Sequence, residues 1–380
     1  MTDLTSGMRT DEMLSARLRA LYVNYGYRIY KVNRFEAYDL YVQNKNFLTD
    51  ERILTFTDLN GRLKALKPDI TLSVVRNTRD ETLPVRVCYS ESAYRVPRGE
   101  DGFHEIMQTG IEYIGSCDTA VLAEIILLAE KSLQTISERY ALDISHMGLV
   151  SELLRSCRIP EEDYQEVLDM LRRKDRHGIR AYAQTKGLEE MEQELLDRMI
   201  VVSGPIVSAL ECLSQCRITD AGKKIISELK DIAEIVEQVW QGTLNLDFSV
   251  LSDMRYYNGL TLSGFIEGIP VPVLSGGQYD PLLTRLGRDG QGIGFAVYLN
   301  QIDRCMPEHA DAEPLVIHTG KDPKTAFIEA EKKRVYGPVV LMPLGEGEAQ
   351  HSAPAFQTNG QMHTVQNQEL KQAEKGDTVC

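Results

Sequence analysis

Residues Val87–Gly115 read VCYSESAYRVPRGEDGFHEIMQTGIEYIG, and the interpretation of the whole chain starts from this stretch. Two runs typical of strands flank a polar loop, which predicts an antiparallel hairpin. On the second strand, Glu105, Gln108, Gly110 and Glu112 are expected to converge on one surface, with a slip in the alternation before Gln108. A half-buried antiparallel strand can present such a row to a pocket. The alternative is a surface hairpin whose polar side chains lie in water.

Length and composition indicate a globular protein with more than one domain. The chain has 380 residues, which exceeds one ordinary core and suggests about two or three domains. Hydrophobic residues make up 43% of the chain and charged residues 26%, as in soluble globular proteins. No apolar run approaches the roughly 20 residues that cross a bilayer, and the N-terminus carries no signal segment. We therefore expect a cytoplasmic protein with no membrane partner.

Cysteine spacing, histidine spacing and net charge argue against three kinds of function. The seven cysteines include no CxxC pair, and the seven histidines form no HxxxH or HExxH pattern. We therefore expect neither a disulfide framework nor a metal site. The net charge is −14, and no basic run stands out. Because nucleic-acid binding relies on Lys and Arg to neutralise phosphates, this charge counts against a nucleic-acid partner.

The motifs of the chain resemble, in order, those of the histidyl-tRNA synthetase family, a class II aminoacyl-tRNA synthetase family. HEIMQTGIEYIG is similar to the second strand of its motif 2, with Glu105, Gln108, Gly110, Glu112 and Gly115 in register. The other matching segments are GYRIYKVNRFEAY (motif 1), KPDITLSVVR, RYYNG and SGGQYD (the two histidine motifs) and QGIGFA (motif 3). The resemblance implies an α+β fold in which helices flank an antiparallel sheet.

The resemblance and the residue patterns also divide the chain into three parts. The implied class II synthetase-like core comprises residues 1–150 and 229–310. A helical insertion is expected over residues 151–228, where polar faces follow helical spacing. Residues 311–380 form a short C-terminal segment, in which a βαβ-like pattern predicts a small α/β piece. The Gln-, Asn- and Gly-rich end of this segment is expected to be flexible.

The resemblance implies that the chain keeps a pocket for histidine. The residues that match the family's histidine-binding positions are Asp69, Thr71, Gln108, Glu112, Tyr256 and Tyr257. The first three match positions around the amine and carboxylate, and the last three match positions around the imidazole. The chemistry fits, because a carboxylate accepts from an imidazole N–H and pairs with an ammonium group. The alternative is a collapsed pocket whose polar residues satisfy one another.

Three positions where the family has ATP-binding arginines carry other residues, namely Tyr89, Ser252 and Gln301. The planar guanidinium group of arginine donates paired hydrogen bonds to phosphate oxygens and stays positively charged. Losing one such stabiliser costs about a hundred- to thousandfold in rate, so three losses imply no adenylate formation. Arg86 lies at an odd offset from Tyr89, on the opposite strand face. Arg304 is one helical turn beyond Gln301 and is the cation that could compensate.

A pocket with histidine contacts and without ATP arginines resembles the regulatory-subunit family of short-form ATP phosphoribosyltransferase, the first enzyme of histidine biosynthesis. That resemblance implies a non-catalytic protein without a cofactor, with histidine as its regulatory ligand and the short catalytic subunit as its partner. It also implies a homodimer within a hetero-octamer. Loop Ser92–Gly102 is expected to close over the ligand, or else to be a mobile surface turn. The alternative functions are an active histidyl-tRNA synthetase-like ligase and a free-standing histidine-binding scaffold protein.

Overall fold

The computed structural model describes most of the chain and divides it into two compact units. The described residues are 8–44, 52–79, 84–96, 101–251, 254, 256–303, 315–318, 323–334, 339–342, 355–358 and 361–364. The larger unit is Thr10–Pro307, and the smaller one joins the first nine residues to the segment from Glu308 onwards. The candidate site lies within the larger unit.

The larger unit contains strands and helices along its whole length. The strands are β1 (Arg28–Ile29), β2 (Phe35–Ala37), β3 (Thr55–Thr57), β4 (Leu63–Leu66), β5 (Val85–Arg95), β6 (His104–Gly115), β7 (Tyr140–His146), β8 (Ser203–Pro205), β9 (Asn245–Asp247), β10 (Leu260–Ile266), β11 (Leu274–Gln278) and β12 (Gln291–Tyr298). The α-helices are α1 (Thr10–Asn24), α2 (Tyr38–Gln43), α3 (Ile70–Asn77), α4 (Thr119–Ile136), α5 (Met147–Ser156), α6 (Tyr164–Arg172), α7 (Arg176–Lys186), α8 (Glu190–Val201), α9 (Ile206–Ser214), α10 (Asp220–Val239), α11 (Asp280–Arg285) and α12 (Leu299–Asp303).

A nine-stranded sheet is the centre of this unit, in the order β1-β5-β6-β12-β11-β10-β7-β9-β8. Its neighbouring strands are antiparallel except for the pairs β1/β5 and β7/β9. A second sheet has the order β2-β4-β3. The predicted mixed α+β architecture around an antiparallel sheet is therefore present.

Strands β5 and β6 form the predicted hairpin, but its register corrects one expectation. Every residue of β5 pairs with one of β6, so the expected slip before Gln108 does not occur. Gln108, Gly110 and Glu112 therefore share a face, and Glu105 lies on the opposite face. Glu105 is exposed there and accepts a hydrogen bond from the Tyr94 hydroxyl at 3.1 Å. The prediction that Glu105 joins the converging polar surface was wrong.

One face of the large sheet is covered by apolar helices, which leaves the other for the site. Helix α4 packs against β7, β10 and α10. Gly264 allows α4 to approach β10 closely, because a Cβ at this position would lie 2.8 Å from the side chain of Leu133 in α4. Cross-strand partners share a face, whereas the next residue in a strand points the other way. Thr261, which is three residues from Gly264, thus belongs to the opposite face, together with its cross-strand partner Gly277.

Between β7 and β9 the chain is mostly helical, and it includes α5 to α10. Only the short strand β8 interrupts these helices among the described elements of that segment, and it pairs with β9 at the sheet edge. Helix α10 returns the chain to the core by packing on α4, α5 and α9. None of the described helices combines the length and apolarity that a bilayer crossing requires.

The smaller unit has a four-stranded sheet of its own. Its elements are β13 (Leu315–His318), α13 (Pro323–Lys333), β14 (Val339–Met342), β15 (Ala355–Thr358) and β16 (Gln361–Thr364). Strands β13 and β14 are parallel and flank α13, so the predicted βαβ pattern is present. Ile317, Ala326 and Ala330 form its small apolar core. The expected flexible end lies largely outside the described residues.

Candidate functional site

A row of cross-strand partners forms the floor of the candidate site. Glu112 of β6 lies opposite Gly294 of β12, Gly294 opposite Gly277 of β11, and Gly277 opposite Thr261 of β10. The two glycines leave space above the sheet for other side chains. A Cβ at Gly294 would lie 2.1 Å from Glu112 Oε2, and one at Gly277 would lie 2.7 Å from the Tyr257 ring. The glycines thus make room for a carboxyl group and an aromatic ring.

The Glu112 carboxyl is the central polar group of this face. Its Oε1 accepts from the Thr71 hydroxyl and its Oε2 from the Tyr279 hydroxyl, each at 2.6 Å. The residue is 1% exposed, and burial raises its pKa to about 8 even though both hydrogen bonds lower it. At neutral pH the carboxyl is therefore mostly protonated unless a cationic or N–H donor group approaches it.

A second carboxyl group, that of Asp69, lies near Glu112. Asp69 is the N-cap of α3 and accepts from the Leu72 amide at 2.7 Å, which fixes its position at the helix start. Burial raises the pKa of Asp69, and the nearby Arg95 charge opposes this rise. The Asp69 charge in turn helps to raise the pKa of Glu112. The pair therefore favours a ligand that carries a positive charge and N–H donors.

Tyr256 and Tyr257 form an aromatic wall beside these carboxyl groups. Their ring centroids are 4.5 Å apart, with planes at 58°. Tyr256 is in hydrogen-bond contact with Thr71, and Tyr257 packs over Gly277. An aromatic wall next to an acidic group suits a flat ring with N–H groups, because the ring can stack while its nitrogen donates.

Gln108 lies further along β6 on the same face. It is 5% exposed and lies opposite Tyr298 of β12 and Glu91 of β5. Within the described residues its side-chain amide makes no hydrogen bond. An amide supplies both donors and an acceptor, so Gln108 can pair with the amine or the carboxylate of a bound amino acid.

Tyr89 occupies one of the three positions where the resemblance places an ATP-binding arginine. It is 1% exposed and lies opposite Gly110. A Cβ at Gly110 would lie 2.8 Å from the Tyr89 hydroxyl, so the ring fills the space above this glycine. Burial holds the Tyr89 pKa well above its usual range, which keeps the group neutral. Gln301, on α12, is also uncharged, and Ser252 lies outside the described residues.

The cations near these positions have other partners or other orientations. Arg86 lies on the opposite face of β5, where it pairs with Glu124 at 2.6 Å. Lys67 pairs with Glu91 at 3.0 Å. Arg95 lies 6.0 Å above the Tyr298 ring and close enough to Asp69 to lower its pKa. Arg95 is thus a cation that the fold brings to this pocket. Arg304, the cation expected to compensate, is outside the described residues.

The structure therefore gathers five of the six expected histidine-binding residues, and Gln108 lies further along the same sheet face. The gathered residues are Asp69, Thr71, Glu112, Tyr256 and Tyr257. Their role in binding histidine stays a prediction. The sequence reasoning missed Tyr279 as a partner of Glu112, although SGGQYD contained the signal. In the described part of the chain, no three His, Cys, Asp or Glu side chains are grouped so that they could hold a metal ion.

The loop expected to close over the ligand is only partly described. Residues up to Arg95 continue β5, and residues 97–100, which include Arg98 and Gly99, lie outside the described residues. Its closure over a ligand stays a prediction.

Comparisons with known proteins test the predicted fold and family. A family model described as histidyl-tRNA synthetase matches residues 4–302. An ATP phosphoribosyltransferase regulatory subunit from Clostridium kluyveri is 28% identical, over 84% of this chain and 85% of its own. A solved ATP phosphoribosyltransferase regulatory subunit/histidyl-tRNA synthetase from Bacillus halodurans has a TM-score of 0.75 and 25% identity, and the match covers 90% of this chain and 93% of that chain. A chain of the ATP phosphoribosyl transferase (HisG:HisZ) complex from Thermotoga maritima has a TM-score of 0.61 and 17% identity, over 76% of this chain and 97% of that chain. These matches confirm the predicted class II synthetase-like fold. They also confirm the resemblance to the histidyl-tRNA synthetase family and to the regulatory-subunit family of ATP phosphoribosyltransferase.

Replacing Glu112 by Gln should flatten the dependence of stability on pH. The pKa of Glu112 is about 8 in the folded chain against an ordinary value of 4.5. The folded state therefore binds more protons between these values, and this contribution to the free energy of unfolding is lost as pH rises through about 8. The glutamine of the Glu112→Gln variant cannot titrate. The free energy of unfolding of this variant, measured by urea unfolding, should therefore fall less between about pH 5.5 and about pH 8.5 than that of the wild type.

Glu105 is exposed, so Glu105→Gln is the matched control. Its free energy of unfolding should fall with rising pH as much as that of the wild type. If Glu112→Gln loses as much stability over this range as the wild type does, the carboxyl group is already ionised in the folded chain.

Proposed function

The chain belongs to the histidyl-tRNA synthetase family, and from this premise we propose that it serves as a regulatory subunit of ATP phosphoribosyltransferase. In this role it activates the catalytic subunit and confers histidine feedback inhibition on the first step of histidine biosynthesis. The observation that carries the proposal is the asymmetry of one sheet face. Acidic and aromatic side chains gather around Glu112, whereas the neutral ring of Tyr89 fills the space above Gly110.

Histidine is the amino acid that suits this pocket. Its imidazole can stack on the tyrosine wall and donate an N–H to Glu112, which Thr71 and Tyr279 hold in place. Its ammonium group can pair with Asp69. Its carboxylate can be met by Gln108 and Arg95, one a neutral donor and the other a cation. Every polar end of the ligand then has a partner of suitable charge.

The same chain is proposed to have no catalysis of its own. Adenylate formation needs cations at the α-phosphate, and a missing stabiliser costs about a hundred- to thousandfold in rate. Tyr89 and Gln301 supply no charge at two of the matching positions. Histidine is therefore a regulatory ligand rather than a substrate, and the protein needs no cofactor.

The proposed partner is the short catalytic subunit of ATP phosphoribosyltransferase, in the cytoplasm. We infer a homodimer within a hetero-octamer. An apolar patch supports self-association: Phe35 of β2 and Phe56 of β3 are 52% and 38% exposed, and their ring centroids lie 5.4 Å apart. Paired exposed aromatic rings are costly in water and are typical of interfaces.

Glu112→Gln and Gln108→Ala should each weaken histidine inhibition of the assembled enzyme. Loss of a hydrogen bond to a charged group costs about 1.5–3 kcal/mol, which corresponds to roughly ten- to a hundredfold in the half-inhibiting histidine concentration. The measurement is the catalytic subunit's rate at increasing histidine, with each variant added in excess. Activation without histidine reports whether the variant still assembles.

Glu105 lies on the other face of β6, so Glu105→Gln serves as the control. An enzyme assembled with this variant should have the same half-inhibiting histidine concentration as one assembled with the wild type. Unchanged inhibition in both pocket variants would show that histidine acts elsewhere. Failure of the wild-type chain to activate the catalytic subunit would favour the free-standing scaffold.

Phe35→Ser combined with Phe56→Ser should convert the dimer into a monomer, because it removes the exposed apolar surface that a second copy would bury. Light scattering of the purified chain gives the mass directly. Val239→Ser removes another apolar side chain, 64% exposed on α10, and should leave the dimer intact. A double variant that keeps the wild-type mass would place the dimer contact on another surface.

A further inference from the structure

A buried ion pair borders the candidate site. Lys67 Nζ lies 3.0 Å from Glu91 Oε2, and the two side chains are 0% and 12% exposed. The backbone of Val32 meets both partners, because its amide donates to Glu91 Oε1 at 3.3 Å and its carbonyl accepts from Lys67 Nζ at 3.4 Å. Hydrogen bonds therefore fix both ends of the pair.

This ion pair connects the two places where the amino-acid end of a ligand is expected. Glu91 is the cross-strand partner of Gln108, so the two side chains share the site face of the sheet. Lys67 precedes Asp69, the N-cap of α3, by two residues, and its carbonyl accepts from the Tyr94 amide at 2.9 Å. The start of α3 is therefore attached to β5 through both the backbone and the side chain of one lysine.

The stability of the fold does not explain why this contact is ionic. Burial lowers the pKa of Lys67, and Glu91 opposes this effect without cancelling it. Removing charged groups from water is costly, and apolar side chains of similar volume often stabilise a buried contact as well or better. An ion pair differs from an apolar contact in its geometry, because its hydrogen bonds fix both distance and direction. The pair is thus suited to setting a fixed distance between β5 and α3.

We propose that this ion pair positions the amino-acid end of the ligand. By attaching α3 to β5, it holds Asp69 and Gln108 at the separation that the ammonium and carboxylate groups of one amino acid require. This role rests on the proposed function, in which these two residues meet those groups. The imidazole ring is met instead by Glu112 and the aromatic wall, which none of the described contacts of the ion pair reaches. Loss of the pair should therefore affect one end of the ligand and spare the other.

Lys67→Met combined with Glu91→Gln tests this proposal, because it removes both charges and keeps an acceptor for the Val32 amide. Calorimetry on the full chain measures histidine binding, and NMR titration measures binding of 4-methylimidazole, which has the ring without the amino-acid groups. The double variant should bind histidine about ten- to a hundredfold more weakly, the loss expected when hydrogen bonds to charged groups are misplaced. Its affinity for 4-methylimidazole should stay within about twofold of the wild-type value, as for sites that do not interact.

Arg139→Gln combined with Glu267→Gln is the matched control. These residues form an ion pair at 3.1 Å whose side chains are 80% and 63% exposed, and the control should bind both compounds as the wild type does. A second readout uses Gln108→Ala. This change should weaken histidine binding less in the variant without the buried pair than in the wild-type chain, because the amide is already misplaced there.

The results that would overturn the positioning role differ from the result that would overturn the proposed function. Equal histidine affinity in the wild type and the buried-pair variant would show that the pair does not set the site. Equal weakening of histidine and of 4-methylimidazole would show that the pair only supports the fold. Absence of histidine binding by the wild type would contradict the proposed function itself, and the positioning role with it.

Discussion

The hydrogen bonds from Thr71 and Tyr279 to the buried Glu112 carboxyl are the constraint on which the site depends. They connect the start of α3, the middle of β6 and the residue that follows β11, three places far apart in the chain. Gly294 is what lets the carboxyl lie over the sheet, because any side chain there would occupy its place. The pKa of about 8 follows from this burial, and it makes the carboxyl responsive to a basic ligand.

The proposed function separates binding from catalysis on the same sheet face. Around Glu112 the side chains suit an amino acid with an imidazole ring. Above Gly110, the neutral ring of Tyr89 takes the space where the resemblance places a cation. A protein altered in this way can respond to an amino acid without activating it. Such a response becomes regulation when the ligand prefers one of two assembly states.

The sequence predicted the parts that depend on local pattern. The hairpin of β5 and β6 and the βαβ pattern around α13 follow from alternation and apolar spacing. The face of Glu105 was predicted wrongly, because a single assumed slip moves a side chain to the other side of the sheet. The contact between Tyr279 and Glu112 joins residues that are far apart in the sequence. Only the fold reveals such pairs.

The central claim is that the pocket accepts histidine and gains nothing from an attached nucleotide. Calorimetry with histidine and with a non-hydrolysable histidyl-adenylate analogue tests it most directly. An active synthetase binds such an analogue far more tightly than the amino acid, because its cations hold the phosphate. We expect saturable histidine binding, and we expect the analogue to bind no more tightly than histidine. An analogue bound about a hundredfold more tightly than histidine, or no binding of histidine at all, would contradict it.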